Sequence, residues 1–300
     1  MPGPRGLNPH QVTSKRTGEP TWGLVGTFNQ LNTLAKLRPA RIIAFADSSM
    51  DGFRAELLPS YKRKSGSPYL RQQLNRLAQC LPSLGIAVVG AGEEFPGMEA
   101  EDLIAKAVHT RQHERTVVVS YDKDLLQLVG EHASHYNPQK KQLLTAANLE
   151  THLKQAFLPT QAKLEGADLA VFLACTGDTA DGIKPIGGIG PVTLGQYYNQ
   201  LPEGLSNLAK LEALAAIDRQ ERNVKLPPPD WALARANLAA TDLDTDRQHG
   251  LILGTIAQPQ PDKRAFQQVL EELTMPSFLA HYEEWFAPFE TQKQAVFTMV

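Results

Sequence analysis

Eight carboxylates stand in four short groups along this chain, each group where a strand or helix begins or ends. Asp47 closes the apolar run Arg41-Ile-Ile-Ala-Phe-Ala, and Glu99, Glu101 and Asp102 open a helical segment in Gly-Met-Glu-Ala-Glu-Asp-Leu. Asp122 and Asp124 follow the run Val117-Val-Val-Ser, and Asp178 and Asp181 lie in Thr-Gly-Asp-Thr-Ala-Asp-Gly. Acids delivered to the ends of buried elements repel one another unless cations neutralise them. Hard oxygen donors of this kind suit Mg²⁺ or Mn²⁺, which bind through a few carboxylates and keep several waters. The pattern points to metal-assisted phosphate chemistry.

The segments between these acids alternate in period. Leu24, Phe28, Leu31, Leu34 and Leu37 recur at helical spacing, before the strand that ends at Asp47. A second helix is predicted over 67–81, with Pro68 in its first turn and Leu70, Leu74, Leu77 and Leu81 as its buried face. Ile86 to Val89 reads as a short strand, Asp102 to Val108 as helix, and Val117 to Val119 as a β-branched strand. Strands alternating with helices predict an α/β fold, its mostly parallel sheet covered on both faces. Ligands of such sheets sit beyond the carboxyl ends of the strands, where Asp47 and Asp122 fall. After residue 140 the strand signals fade. Residues 145–216 read as helical around a glycine-rich stretch at 182–195, Pro227-Pro-Pro229 marks a linker or exposed turn, and the rest to Val300 reads as helices and loops.

Composition narrows the classes. With 300 residues and 42% hydrophobic content the chain suffices for one large domain or a core with a smaller lobe. Cys80 and Cys175 lack the number for a disulfide framework and the spacing of a zinc site, and read as reduced core thiols of a cytoplasmic protein. No apolar stretch approaches the roughly 18 residues of a membrane span. A net charge of −2 argues against a generic nucleic-acid coat, yet a cluster of metal-binding acids can conceal a basic face in the total.

Each motif also has an ordinary structural role. Asp at a helix start is normally a cap, and this accounts for one of Asp122 and Asp124 but not both. Glu99 and Asp102, three apart, share a helical face while Glu101 points elsewhere. Gly188-Ile189-Gly190 ahead of a new helix can present N–H groups to a phosphate, though alone it is usually a tight turn. Tyr61-Lys-Arg-Lys64 is ordinarily a solvated loop; with its aromatic residue it suits a single strand bound by charge and stacking. His109, His113, His132, His135 and His152 share no ligand spacing.

In this order, from about Thr17 to Tyr198, the motifs resemble the 5′→3′ exonuclease and flap endonuclease family, which includes the 5′-nuclease domain of bacterial DNA polymerase I and phage 5′-nucleases. Gly18-Glu-Pro-Thr-Trp-Gly-Leu-Val-Gly resembles the segment after that family's first strand, and Phe53-Arg54 with Tyr61-Lys62 the stretch before its helical arch. The resemblance implies a PIN-like three-layer core with a helical, helix-hairpin-helix DNA-binding lobe. It implies Asp47, Glu99, Glu101, Asp102, Asp122, Asp124, Asp178 and Asp181 as ligands of two or more Mg²⁺ or Mn²⁺ ions, with Glu101 where the family usually has Asp. It implies Lys62 as a contact to the scissile phosphate, with Arg54 preceding it on the same basic stretch and adding electrostatic stabilisation; Tyr61, Arg63 and Lys64 are expected on DNA from their own charge and stacking. The hairpin Gly188, Ile189, Gly190 and Thr193 is implied to grip duplex backbone, in relatives through K⁺, and Val192 replaces a usual lysine there.

The domains expected are a nuclease core over 1–140 with an arch near 54–80, a helical lobe over 141–226 and a helical extension over 227–300. The expected function is hydrolysis of DNA phosphodiesters at 5′ ends, flaps and junctions by a monomer. Two readings compete: an inactive relative that binds branched DNA, and a metal-dependent phosphatase or nucleotide hydrolase. Relatives begin with a strand carrying Asp-Gly, whereas Met1-Pro-Gly-Pro-Arg-Gly-Leu-Asn-Pro-His holds no acid and no β-branched run. That strand is therefore expected to be missing, leaving a sheet edge open, an ion short of a ligand and the chain poorly stable.

Overall fold

The computed structural model describes residues 13–48, 52–61, 67–90, 94–111, 114–221, 227–245, 248, 250–290 and 297–299. In chain order the elements are α1 (Trp22–Ala35), β1 (Arg41–Phe45), α2 (Phe53–Leu57), α3 (Pro68–Cys80), β2 (Ala87–Val89), α4 (Ala100–Thr110) and β3 (Arg115–Val119). There follow β4 (Ala133–Asn137), β5 (Gln142–Leu144), α5 (Ala146–Ala156), α6 (Asp168–Thr176), α7 (Pro191–Tyr198), α8 (Asn207–Glu221) and α9 (Trp231–Thr241). Last come α10 (Lys263–Glu272), α11 (Pro276–Leu279), α12 (Tyr282–Glu290) and β6 (Phe297–Met299). The chain divides into two compact units: Met1–Asp47, Ser65–Glu94 and Leu253–Val300 form the first, Ser48–Lys64 and Phe95–Ile252 the second. These are not the divisions at 140 and 226 expected from the sequence. The two helices of the expected arch, α2 and α3, belong to different units, and the segment read as a C-terminal extension, 227–300, is divided between them: its part up to Ile252 belongs to the second unit and Leu253–Val300 to the first.

In the first unit β1 runs parallel to β2, Ile43 opposite Ala87, and parallel to β6, Arg41 opposite Thr298. The reading of 227–300 as helices and loops therefore missed a strand, because its partner lies at the far end of the sequence. The segment 1–10, on which the expected loss of a first strand rests, lies outside the described residues. Aromatic rings close this core. Phe28 of α1 meets Phe266 of α10 edge-on at 5.1 Å, and Phe266 stacks on Trp285 of α12 at 5.3 Å. Edge-on and offset pairs of this kind add roughly 0.5–1.5 kcal/mol each beyond area burial. The buried face predicted for α3 is also corrected. Leu74 is 55% exposed, while Gln73 is buried and its Oε1 accepts the Gly23 N–H at 2.7 Å. Thr21 provides no side-chain cap for α1, so Gln73 satisfies one of the free N–H groups of its first turn.

The second unit carries the acids. Here β3 is parallel to β4, Val117 opposite Ser134, and β4 is antiparallel to β5. Neither β4 nor β5 stood out in sequence, since Ala-Ser-His-Tyr-Asn has no β-branched residue. Helix α6 is apolar nearly all round and buried from Asp168 to Cys175, as a helix at the centre of a core should be. Leu126, Leu149, Leu194, Leu214 and Leu238 pack with it in one cluster. Among the described residues no helix is long and apolar enough to cross a membrane.

Candidate active site

Three local devices aim the acids. Beyond β3, the Ser120 hydroxyl accepts the Asp122 N–H at 3.0 Å, and Asp122 Oδ1 accepts the Asp124 N–H at 3.0 Å. The pair is thereby fixed at the start of the 3₁₀ turn Asp124–Leu128. Beyond α6, Gly177 turns the chain at φ +77°, where an added Cβ would lie 2.6 Å from Pro185 N, so only glycine fits. Asp178 and Ile183 then exchange backbone hydrogen bonds of 2.9 and 2.8 Å, closing a loop that presents Asp178 and Asp181.

At the third device Glu99 and Asp102 act as a reciprocal capping box on α4, Asp102 Oδ2 accepting the Glu99 N–H at 3.0 Å. The shared face expected of this pair is thus a structural one, and the acid that points elsewhere, Glu101, joins the site.

Carboxylate oxygens of Glu101, Asp122 and Asp124 lie within 4.8 Å of one another, and so do those of Asp124, Asp178 and Asp181. Asp124 belongs to both groups. Five of the eight acids are therefore brought together, all within the second unit. Glu99 and Asp102 stand in neither group. Asp47 is exposed just past β1 and belongs to the first unit.

The electrostatics match a site built for added positive charge. Burial, reinforced by Asp122, pushes the Asp124 carboxyl up to about 7. Burial also raises Glu101 well above the usual carboxylate range, against the pull of Arg54. Asp124 Oδ1 is buried with no hydrogen-bond partner. Burial acts to raise Asp178 as well, but the Lys123 ammonium that bonds it holds its carboxyl below the ordinary value. An all-oxygen donor set with a buried carboxylate oxygen that accepts no hydrogen bond and has the Lys123 ammonium 3.5 Å away fits a hard divalent cation.

The predicted phosphate contacts fare differently. Arg54 is 1% exposed and locked: its Nη1 and Nη2 donate to the two oxygens of Asp102 at 2.8 Å, Nε donates to the Ala240 carbonyl at 2.7 Å, and Nη2 lies 2.8 Å from Glu101. Burial disfavours its charge, yet Glu101 and Asp102 outweigh this and raise its pKa. The expectation that Arg54 acts with Lys62 on the phosphate is therefore corrected. The two-carboxylate demand of α4 draws it inward, where it serves as their counter-ion. Tyr61 is corrected likewise: it is 6% exposed, with its hydroxyl donating to Glu99 at 3.2 Å, and no ring face is open to a base. Lys62, Arg63 and Lys64 lie outside the described residues.

Gly188 takes φ +62°, and a Cβ there would come 2.4 Å from the Pro227 carbonyl. Gly190 is exposed and caps α7, Thr193 is half-buried in its first turn, and Ile189 packs against the main core cluster. Sequence reasoning missed Gln248, which donates to Asp102 Oδ1 at 2.7 Å and carries no recognisable spacing. It also gave no role to Lys123, although its position between two acids was a visible signal.

The fold is one known among nucleases. It is shared with a variant of the bacteriophage T5 5′-exonuclease, at a TM-score of 0.51 and 18% identity over 83% of this chain and 92% of that one. The T5 flap endonuclease, solved as a pseudo-enzyme–product complex with DNA and metal ions, gives 0.52 at 16% identity over 84% and 91%. Residues 6–154 match the family described as 5′-3′ exonuclease, N-terminal resolvase-like domain. The flap endonuclease Xni of Aeromonas salmonicida is 31% identical over 72% of this chain and 77% of its own length. The 5′-3′ exonuclease of Aquifex aeolicus is 28% identical over 93% and 90%. The chain belongs to the 5′-3′ exonuclease family.

Proposed function

We propose that this chain hydrolyses DNA phosphodiesters near 5′ ends, flaps and junctions, using divalent ions held by Glu101, Asp122, Asp124, Asp178 and Asp181. The observation that carries the reading is the pair of three-acid groups joined at Asp124. Two groups suit two ions, Mg²⁺ or Mn²⁺, with Asp124 common to both. When bound, such ions supply Lewis-acid stabilisation of charge on the phosphate.

The chain's own residues do the rest. The five acids would hold the ions, while Arg54 and the capping box fix the start of α4 so that Glu101 faces the site. Lys62 meets the scissile phosphate and adds electrostatic stabilisation, with Arg63 and Lys64 guiding the strand toward it. The Gly188–Gly190 hairpin would grip duplex backbone from its exposed end at Gly190, with K⁺ as the ion involved. Contacts of this kind address backbone and ends, so base sequence matters little. The working form is a cytoplasmic monomer.

The deciding experiment is cleavage of a 5′-labelled flap in the presence of Mg²⁺, repeated with chelator. Divalent-dependent release of the flap supports the reading. Tight flap binding without release makes the chain a binding relative, and hydrolysis confined to a small phosphate monoester makes it a phosphatase. Lys62→Ala should slow single-turnover cleavage far more than it weakens binding, and an unchanged cleavage rate would remove Lys62 from the site.

A further inference from the structure

Lys123 lies between two site acids in sequence, and the reaction proposed above makes no use of it. Its ammonium bonds Asp178 directly and stands 3.5 Å from Asp124 Oδ1. It therefore sits on two of the three acids Asp124, Asp178 and Asp181 whose oxygens lie within 4.8 Å of one another. The two acids are nearly sealed from water, at 7% and 6% side-chain exposure, whereas the lysine is 32% exposed. Its flexible four-carbon stem can carry the charge outward without disturbing the loop that holds the acids.

We propose that Lys123 is the resident counter-ion of this three-acid group and that an incoming divalent cation displaces it. The inference rests on the reading that Asp124, Asp178 and Asp181 hold such an ion. One ammonium sets a single positive charge against three carboxylates, so the group stays under-neutralised. A divalent cation needs the same oxygens and repels an ammonium within a few ångströms. The two cannot both occupy Asp178 and Asp124. Lys123 thus holds the loop together before the metal arrives and lowers the apparent affinity of the metal that replaces it. By linkage the metal must weaken the lysine's hold by the same factor.

The test needs no DNA. Lys123→Met and Lys123→Arg would be compared with the parent chain by thermal unfolding across a MgCl₂ series at constant ionic strength, and by calorimetric titration with Mg²⁺. Without divalent ions Lys123→Met should melt below the parent and Lys123→Arg closer to it. Mg²⁺ should bind Lys123→Met about fivefold or more tighter, the lower edge of ordinary coupling between linked sites, and saturation should close the gap in melting temperature. A deficit that persists unchanged at saturating Mg²⁺, with parental Mg²⁺ affinity, would show Lys123 to be a structural tie and overturn the proposal. If Lys123→Met is unfolded without metal, folding on Mg²⁺ addition supports displacement, and failure to fold at any Mg²⁺ concentration counts against it. No response to Mg²⁺ in any of the three proteins would sink the metal assignment, and the proposal with it.

Discussion

Arg54 and Asp102 face each other through two parallel hydrogen bonds of 2.8 Å, with side chains only 1% and 0% exposed. A buried fork-to-fork pair is costly to form and more costly to break, since removing one partner leaves the other charged and unmatched. Gln248 takes the remaining approach to Asp102 Oδ1, so the carboxylate has no lone pair to spare for an ion. The pair is an anchor for the first turn of α4, one residue away from the acid that faces the site.

Arg54→Ala is accordingly expected to destabilise the fold by about 3–5 kcal/mol, the range for a buried pair deprived of one member. Arg54→Lys should recover only part of this, because an ammonium cannot reproduce the planar fork. Urea unfolding in the absence of DNA measures both. Parental stability with slowed cleavage would mean that the guanidinium works on the phosphate instead.

Asp122→Asn together with Asp124→Asn should abolish Mg²⁺-dependent cleavage while leaving circular dichroism unchanged. Relief of repulsion at Asp124, whose carboxyl is pushed up to about 7 by burial and Asp122, should raise the melting temperature measured in chelator. The rise in melting temperature that Mg²⁺ gives the parent chain should shrink in the double variant. Undiminished flap cutting would remove both residues from the metal site.

Gly188 and Gly190 separate folding from DNA contact. Gly188→Ala forces a left-handed conformation that costs roughly 1–2 kcal/mol and drives a Cβ against the Pro227 carbonyl. Gly190→Ala meets nothing within 4 Å, so its fold should be intact. A duplex-binding isotherm for Gly190→Ala at several salt concentrations tests the hairpin's grip directly. Unchanged affinity and salt slope would place the duplex elsewhere.

The two thiols offer a check on the cores. Burial pushes Cys80 up to about 11 and Cys175 up to about 12, so at pH 8 neither holds an appreciable thiolate fraction in the folded chain. Iodoacetamide should leave both unmodified until denaturant is added. Because the raised values exist only in the folded state, alkylation should climb only as pH nears those values. Rapid native labelling at pH 8 would contradict the packing of α3 or α6.

Much of the site was legible because its residues announce themselves locally. Asp122 with Asp124, and Asp178 with Asp181, need only a strand end or a tight loop to converge, and both devices show in short segments. What was hidden depends on distant partners. Arg54 looked like part of a basic stretch because nothing nearby in sequence reveals Asp102 and Ala240 as its destinations. Tyr61 is buried against Leu58, Ile183 and Ala240 for the same reason. The α3 stripe misled because a polar contact, Gln73 on Gly23, fixes how that helix docks, and apolar periodicity does not register it. Strand β4 was missed because its partner β3, not its own composition, makes it extended.

The pairing of Arg41 with Thr298 has a consequence for how the chain acquires its shape. Strand β1 leaves the ribosome long before its neighbour β6, and the acid-bearing unit lies between them in sequence. Contacts of such long sequence separation are slow to form, because the whole intervening loop must be closed first. The second unit can collapse while synthesis continues, but the first must wait with an edge of β1 unpaired, a state open to aggregation. Refolding should therefore be biphasic, with the acid site's unit ordering ahead of the pairing of β1 with β6.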